Sequence, residues 1–90
     1  MRTFRFASTY KRDLKRIGRR NYDLARLAAV LDLLAGGQTM PPERRDHPLR
    51  GVWQGCRECH VAPDWLLIYQ LSASQVLLVR TGTHADLFKS

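Results

Sequence analysis

Phe4 and Phe6 alternate with Thr3 and Arg5 across Arg2–Ala7, and this period of two predicts a short strand. Ser8 is a good helix N-cap, and Tyr10, Leu14 and Ile17 follow at the i, i+4, i+7 spacing of one helical stripe. Gly18 ends or frays that helix. Asn21 is expected to cap a second helix that buries Leu24, Leu27, Ala28, Leu31 and Leu34 and stops at Gly36–Gly37. The short connection predicts an antiparallel helical hairpin.

Pro41–Pro42 interrupts regular structure, and Glu43–Asp46 reads as loop. Cys56–Val61 then alternates as a strand with Cys56, Glu58 and His60 on one face. Pro63–Asp64 is a turn. Trp65–Leu71 is almost wholly apolar, as in a central strand covered on both sides. Ser72–Ser74 turns the chain into a last strand, Val76–Thr83, with Val76, Leu78, Arg80 and Gly82 on one face. Ala85–Phe88 closes as a short turn or helix. The order β-α-α-β-β-β gives an α+β fold: one small, mostly antiparallel sheet with a helical hairpin on one face.

Ninety residues fit one domain, 1–90, able to bury roughly 60–65% of its unfolded surface. Charges interrupt the N-terminal apolar positions and no apolar stretch spans a bilayer, so a cytoplasmic protein with reduced thiols and no membrane contact is expected. The net charge of +7 lies entirely in residues 1–26, where nine basic residues face two acidic ones; the remainder is neutral. Such a block suits a polyanion, an acidic protein partner or a solvated face. Arginine outnumbers lysine by 12 to 3, which favours bidentate recognition of phosphate or carboxylate, although a GC-rich genome has the same effect. Lys11, Arg12, Lys15, Arg16, Arg19 and Arg20 are the candidates for contact with a polyanion backbone.

The candidate chemistry lies in the second half. His47, His60 and His84 each stand beside a turn or strand end, and Asp64 follows His60 by four residues. Loop ends on a rigid sheet are where catalytic groups gather, and imidazole exchanges protons near neutrality. Cys56-Arg57-Glu58-Cys59-His60 also fits a haem-attachment pattern. In a strand, however, the two cysteines point to opposite faces about 10 Å apart, which opposes haem attachment, a shared zinc and a mutual disulfide.

Three stretches carry a resemblance: Asp46-His47-Pro48-Leu49-Arg50-Gly51-Val52-Trp53-Gln54-Gly55 with Arg57; His60-Val61-Ala62-Pro63-Asp64-Trp65-Leu66-Leu67-Ile68-Tyr69; and Arg80-Thr81-Gly82-Thr83-His84-Ala85-Asp86-Leu87-Phe88. Together with Lys11–Arg16 and Tyr22–Leu24, they resemble the YafQ branch of RelE-type toxins, the ribosome-dependent mRNA interferases of type II toxin–antitoxin modules. Cys56 and Cys59 depart from the pattern. The resemblance implies a compact sheet with a helical hairpin, cleavage of mRNA in the ribosomal A site, and a cognate antitoxin. It assigns the chemistry to His47, His60, Asp64 and His84, and substrate placement to Trp65, Arg80 and Phe88. No metal or other cofactor is called for.

RNA supplies its own nucleophile, the 2′-OH. A base must take that proton, an acid must protonate the departing 5′-oxygen, and a cation should offset the charge gathering at phosphorus. Two histidines in opposite protonation states serve as base and acid, and Arg80 is the candidate cation. Asp64 acts as a base or orients a histidine. Glu58, on the His60 face, is a weaker candidate. The rival reading is a non-catalytic basic module that binds RNA or the ribosome and leaves mRNA intact.

Overall fold

In the computed structural model, which describes residues 1–88, the chain forms strand β1 (Thr3–Phe6), helices α1 (Ser8–Arg19) and α2 (Leu24–Ala35), and strands β2 (His47–Pro48), β3 (Arg57–Ala62), β4 (Trp65–Leu71) and β5 (Gln75–Gly82). A short helix, α3 (His84–Phe88), follows β5. The five strands lie in the order β1-β5-β4-β3-β2. Only the β1–β5 pair is parallel. β1 and β5 are the first and last strands of the chain, so the helices and the three other strands intervene between them, and a parallel pair needs such a long connection. No helix among the described residues is long and apolar enough to cross a membrane.

Both helices bury their apolar residues on one face of the sheet. Tyr10 and Ile17 of α1 and Leu27, Val30 and Leu34 of α2 meet Cys59, Val61, Trp65, Leu67, Tyr69, Val76 and Leu78. A smaller cluster of Cys56, Leu66, Ile68 and Leu87 covers the opposite face, with Leu49, Trp53 and Val79 packed against it. Trp65–Tyr69 is buried throughout, as the apolar run predicted, whereas Gln70 and Leu71 at the end of the strand are exposed.

Several local expectations are corrected. Ser8 is the first residue of α1 rather than its cap, and Ala7 at the cap makes no side-chain bond. Asp23, not Asn21, caps α2 by accepting from the Ala25 N–H at 3.0 Å. Asn21 instead takes a left-handed conformation (φ 58°) in the connection. Leu24 and Ala28 are exposed, and Val30 completes the buried stripe. His47–Pro48, to which no element was assigned, forms a short strand that pairs with Glu58 and Arg57.

The strand register carries two slips that bear on the site. Ile68 pairs with Arg80 while Tyr69 pairs with Leu78, leaving Val79 unmatched. This β-bulge moves Arg80 off the face shared by Val76 and Leu78, where strict alternation placed it. A second slip, between His60 and Ala62, lies at the end of β3 beside the candidate site. Bulges of this kind re-aim side chains near functional groups.

Candidate active site

His60 and Glu58 pair with Leu66 and Ile68, so they occupy the sheet face opposite the helical hairpin. Cys59 and Val61 point the other way, into the hairpin core. The two cysteines are thus on opposite faces, as the strand reading required. Burial pushes the Cys59 thiol up to about 12, which keeps it protonated and inert. Among the described residues, no group of three His, Cys, Asp or Glu side chains gathers in a way that would hold a metal ion.

The β3–β4 turn delivers Asp64 to the start of α3. Its Oδ1 accepts from the His84 backbone N–H at 3.1 Å and lies 2.7 Å from His84 Nδ1. Hydrogen bonds from the His84 ring and backbone hold the Asp64 carboxyl below the usual carboxylate range. A carboxylate only accepts, so Nδ1 carries the hydrogen and the neutral ring presents Nε2 as its lone pair. The His60 and His84 ring centroids are 6.0 Å apart. Phe88, one turn along α3, lies 6.3 Å from His84 and 6.3 Å from Trp53.

His84 is held from behind as well. The Thr83 N–H donates to Asp86 at 3.0 Å and the Asp86 N–H donates to Thr83 Oγ1 at 3.1 Å, a reciprocal cap on α3. Asp86 also takes both ends of the Arg20 guanidinium, at 2.7 and 3.1 Å, and lies 3.6 Å from Arg16. The hydrogen bond from Arg20 holds its carboxyl well below the usual range.

His47 sits across the sheet edge from Glu58. Its Nδ1 donates to the Arg45 carbonyl at 2.7 Å, and its Nε2 lies 3.5 Å from the buried Glu58 carboxylate. The neighbouring Asp46 is fixed by Arg57 at 2.7 Å and by the Tyr69 hydroxyl. Burial, together with Asp46, pushes the Tyr69 hydroxyl well above its ordinary value. The His47 ring is thus held at Nδ1 by a backbone carbonyl, with a carboxylate near Nε2.

The structure gathers His60, Asp64, His84 and Phe88 at one end of the open face, with His47 beside Glu58 on the same strand ladder. Trp65 does not join them. Its ring is 3% exposed in the hairpin core, its N–H donates to Thr81 at 2.9 Å, and Tyr22 packs edge-on at 5.0 Å. It is a core anchor, with no exposed ring surface for the substrate placement that the resemblance implied. Arg80 gives Nε and Nη2 to the buried Asp13 at 2.6 and 3.0 Å. Asp13 also accepts from the Thr81 N–H at 3.1 Å. Arg16 of α1 and Arg20 just after it are engaged by Asp86, whereas Lys11, Arg12, Lys15 and Arg19 of α1 stand exposed.

Asp13, Asp86 and Trp53 escaped the sequence reading. The Thr83-x-x-Asp86 cap was legible as a motif. Asp13 is the one acid in a basic helix, but nothing local distinguishes a buried partner from a surface charge.

The sheet, its helical hairpin and the histidine-bearing face opposite that hairpin belong to a small α+β domain whose relatives are toxins of type II toxin–antitoxin systems. A family described as the bacterial toxin of type II toxin–antitoxin system, YafQ, matches residues 2–89. The mRNA interferase toxin YafQ of Escherichia coli (strain K12) is 40% identical over 88 residues, covering 97% of this chain and 96% of that protein. The toxin in the E. coli DinJ–YafQ complex superimposes with a TM-score of 0.90 at 37% identity, covering 98% of this chain and 99% of that one. A metal-bound toxin from Helicobacter pylori has a TM-score of 0.89 at 39% identity, covering 98% and 100%. The chain belongs to the YafQ family of type II toxin–antitoxin toxins.

Proposed function

We propose that residues 1–90 act as one toxin domain, a cytoplasmic endoribonuclease that cuts mRNA in the ribosomal A site without a metal. The observation that carries this reading is the Asp64–His84 pair beside His60 on the open face of the sheet. In this scheme His84 Nε2 takes the proton of the RNA 2′-OH. The 2′-oxygen attacks the adjacent phosphorus, the P–O5′ bond breaks, and His47 protonates the departing 5′-oxygen. The products are a 2′,3′-cyclic phosphate and a 5′-hydroxyl. His60, its ring 6.0 Å from that of His84, faces the phosphate. Asp64 is a positioning residue for His84, and Glu58 for His47.

Arg80 keeps Nη1 for the phosphate while Asp13 holds the rest of its guanidinium. Phe88, 40% exposed, and Trp53 offer the base-stacking surface in place of Trp65, each contact worth about 1–3 kcal/mol. A cognate antitoxin, docking on the basic N-terminal half through acidic residues, holds the toxin inactive. The E. coli relative has been captured with such a partner, DinJ.

The test is induction in a growing bacterium followed by mapping of mRNA 5′ ends. New ends should appear within translated codons. Arrested translation over intact mRNA would instead favour binding without catalysis. A second prediction separates docking from chemistry. Reversing the charge of Arg12, Lys15 and Arg19, none of which Asp86 engages, should weaken ribosome association and flatten its salt dependence, since fewer counterions are released. Cosedimentation over a salt series measures both.

A further inference from the structure

Beside His60 lies a hollow of about 420 Å³ whose walls carry Arg26 of α2, Glu43, Arg44 and Arg45 from the turn before β2, and the end of β3. Its lining sets three guanidiniums against one carboxylate. Among the described residues, no carboxylate lies within ion-pair distance of any of the three arginines. We propose that this hollow is a subsite for a backbone phosphate of the RNA strand, next to the phosphate that is cut. The inference rests on the RNA-cutting reading above.

The site is built into the fold. Arg44 Nη1 donates to the Val61 carbonyl at 2.8 Å and reaches the His60 carbonyl at 3.4 Å, which fixes the guanidinium against the strand that carries His60. Arg45 holds a left-handed backbone (φ 51°) uncommon for a residue with a side chain. Its carbonyl is the acceptor for His47 Nδ1, so one turn sets both the arginines and a catalytic histidine. Arg26 and Ala62 also line a second hollow of about 330 Å³ that reaches Tyr22 and two carboxylates, Asp23 and Asp64. The two hollows therefore form a path from the Asp64–His84 pair, past Arg26, to Arg45.

Arginines bind phosphate oxygens bidentately and keep their charge at every working pH. An acidic peptide is the poorer fit. A run of adjacent carboxylates along this path meets Asp64 at one end and Glu43 at the other, and like charges in apposition are penalised. RNA passes the same points with its phosphates spaced apart by sugar and base.

The test uses a 2′-O-methyl RNA oligonucleotide, which binds but lacks the nucleophile, with single neutral methylphosphonates placed along it. Arg26→Gln and Arg45→Gln are combined, since both residues are exposed, while Arg44 is spared because it ties down the β3 carbonyls. Thermal melting checks that the double variant folds. Its affinity should fall on the order of tenfold, the scale of lost charge-assisted hydrogen bonds. The log–log salt slope should fall by about 0.7, the loss of one single-strand phosphate contact. One methylphosphonate position should reproduce that loss in the wild type and add nothing in the variant. Equal affinity of the two proteins overturns the subsite, as do methylphosphonate effects identical in both or absence of binding by the wild type. Displacement of the RNA by an acidic peptide, with no methylphosphonate effect, assigns the hollow to a protein partner and also overturns it. Coupling to one phosphate, in a protein that leaves unmodified mRNA uncut on programmed ribosomes, overturns the catalytic reading and leaves the subsite standing.

Discussion

Replacing His84 with alanine should slow mRNA cleavage on the order of 10²-fold or more, the usual scale for a positioned acid or base. Ribosome association should remain near that of the wild type, because the exposed basic residues of α1 are left in place. Single-turnover cleavage on programmed ribosomes measures the first quantity and cosedimentation the second. The wild-type rate should follow a bell-shaped pH profile, since one histidine must be neutral and another protonated. The sign for Asp64 is fixed by its hydrogen bonds from His84. Its carboxyl is held below the ordinary range, so it stays charged, and goes on orienting His84, as pH falls through the usual carboxylate values. The acid limb of the profile therefore reports protonation of the base histidine rather than loss of Asp64. Asp64→Asn should slow the reaction less than His84→Ala, because it disturbs the orientation of the base without removing it. Losses at His47, His60, Asp64 and His84 should not add when combined.

Asp13→Ala should cost about 3–5 kcal/mol of stability, the range for removing one partner of a buried ion pair. Asp13 is 1% exposed and accepts from both the Arg80 side chain and the Thr81 backbone N–H. Its loss leaves a guanidinium and an amide without their acceptor where α1 meets β5. For a chain of this size the melting temperature should drop on the order of 15 °C or more. Asp86→Ala should cost less, since the Arg16 and Arg20 side chains it holds are about a third exposed and can return to water. Calorimetry of the two variants would separate these effects, and near-equal melting temperatures would contradict the ranking.

The helices, three long strands and the opposed cysteines were legible because period and burial agree locally. Trp65–Tyr69 reads as a central strand and is buried from end to end. The misreadings share a cause: each turns on contacts between distant segments. Asn21 and Asp23 are both good caps, and the local sequence does not choose between them. With Tyr22 packed edge-on against Trp65, Asp23 is left at the cap. Alternation along β5 placed Arg80 with Val76, but the unmatched Val79 breaks that register. Trp65 suits a core or a stacking surface equally well in sequence, and the hairpin that covers it decides the matter. His47–Pro48 counts as a strand only because β3 lies beside it. The histidines themselves were found because each stands next to a turn, yet their grouping, and the carboxylates behind His47 and His84, depend on the assembled sheet.

The most direct measurement of the central claim is cleavage of an mRNA carrying a single 2′-O-methyl group at the cut site, on programmed ribosomes in excess EDTA with ribosome integrity verified. The unmodified message should be cut in EDTA and yield a 2′,3′-cyclic phosphate. The methylated message should bind the toxin and remain whole, because the attacking oxygen is blocked and His84 has no proton to take. Normal cutting of the methylated message, or a product with a 3′-hydroxyl, would contradict the account, since water or another nucleophile would then be making the attack.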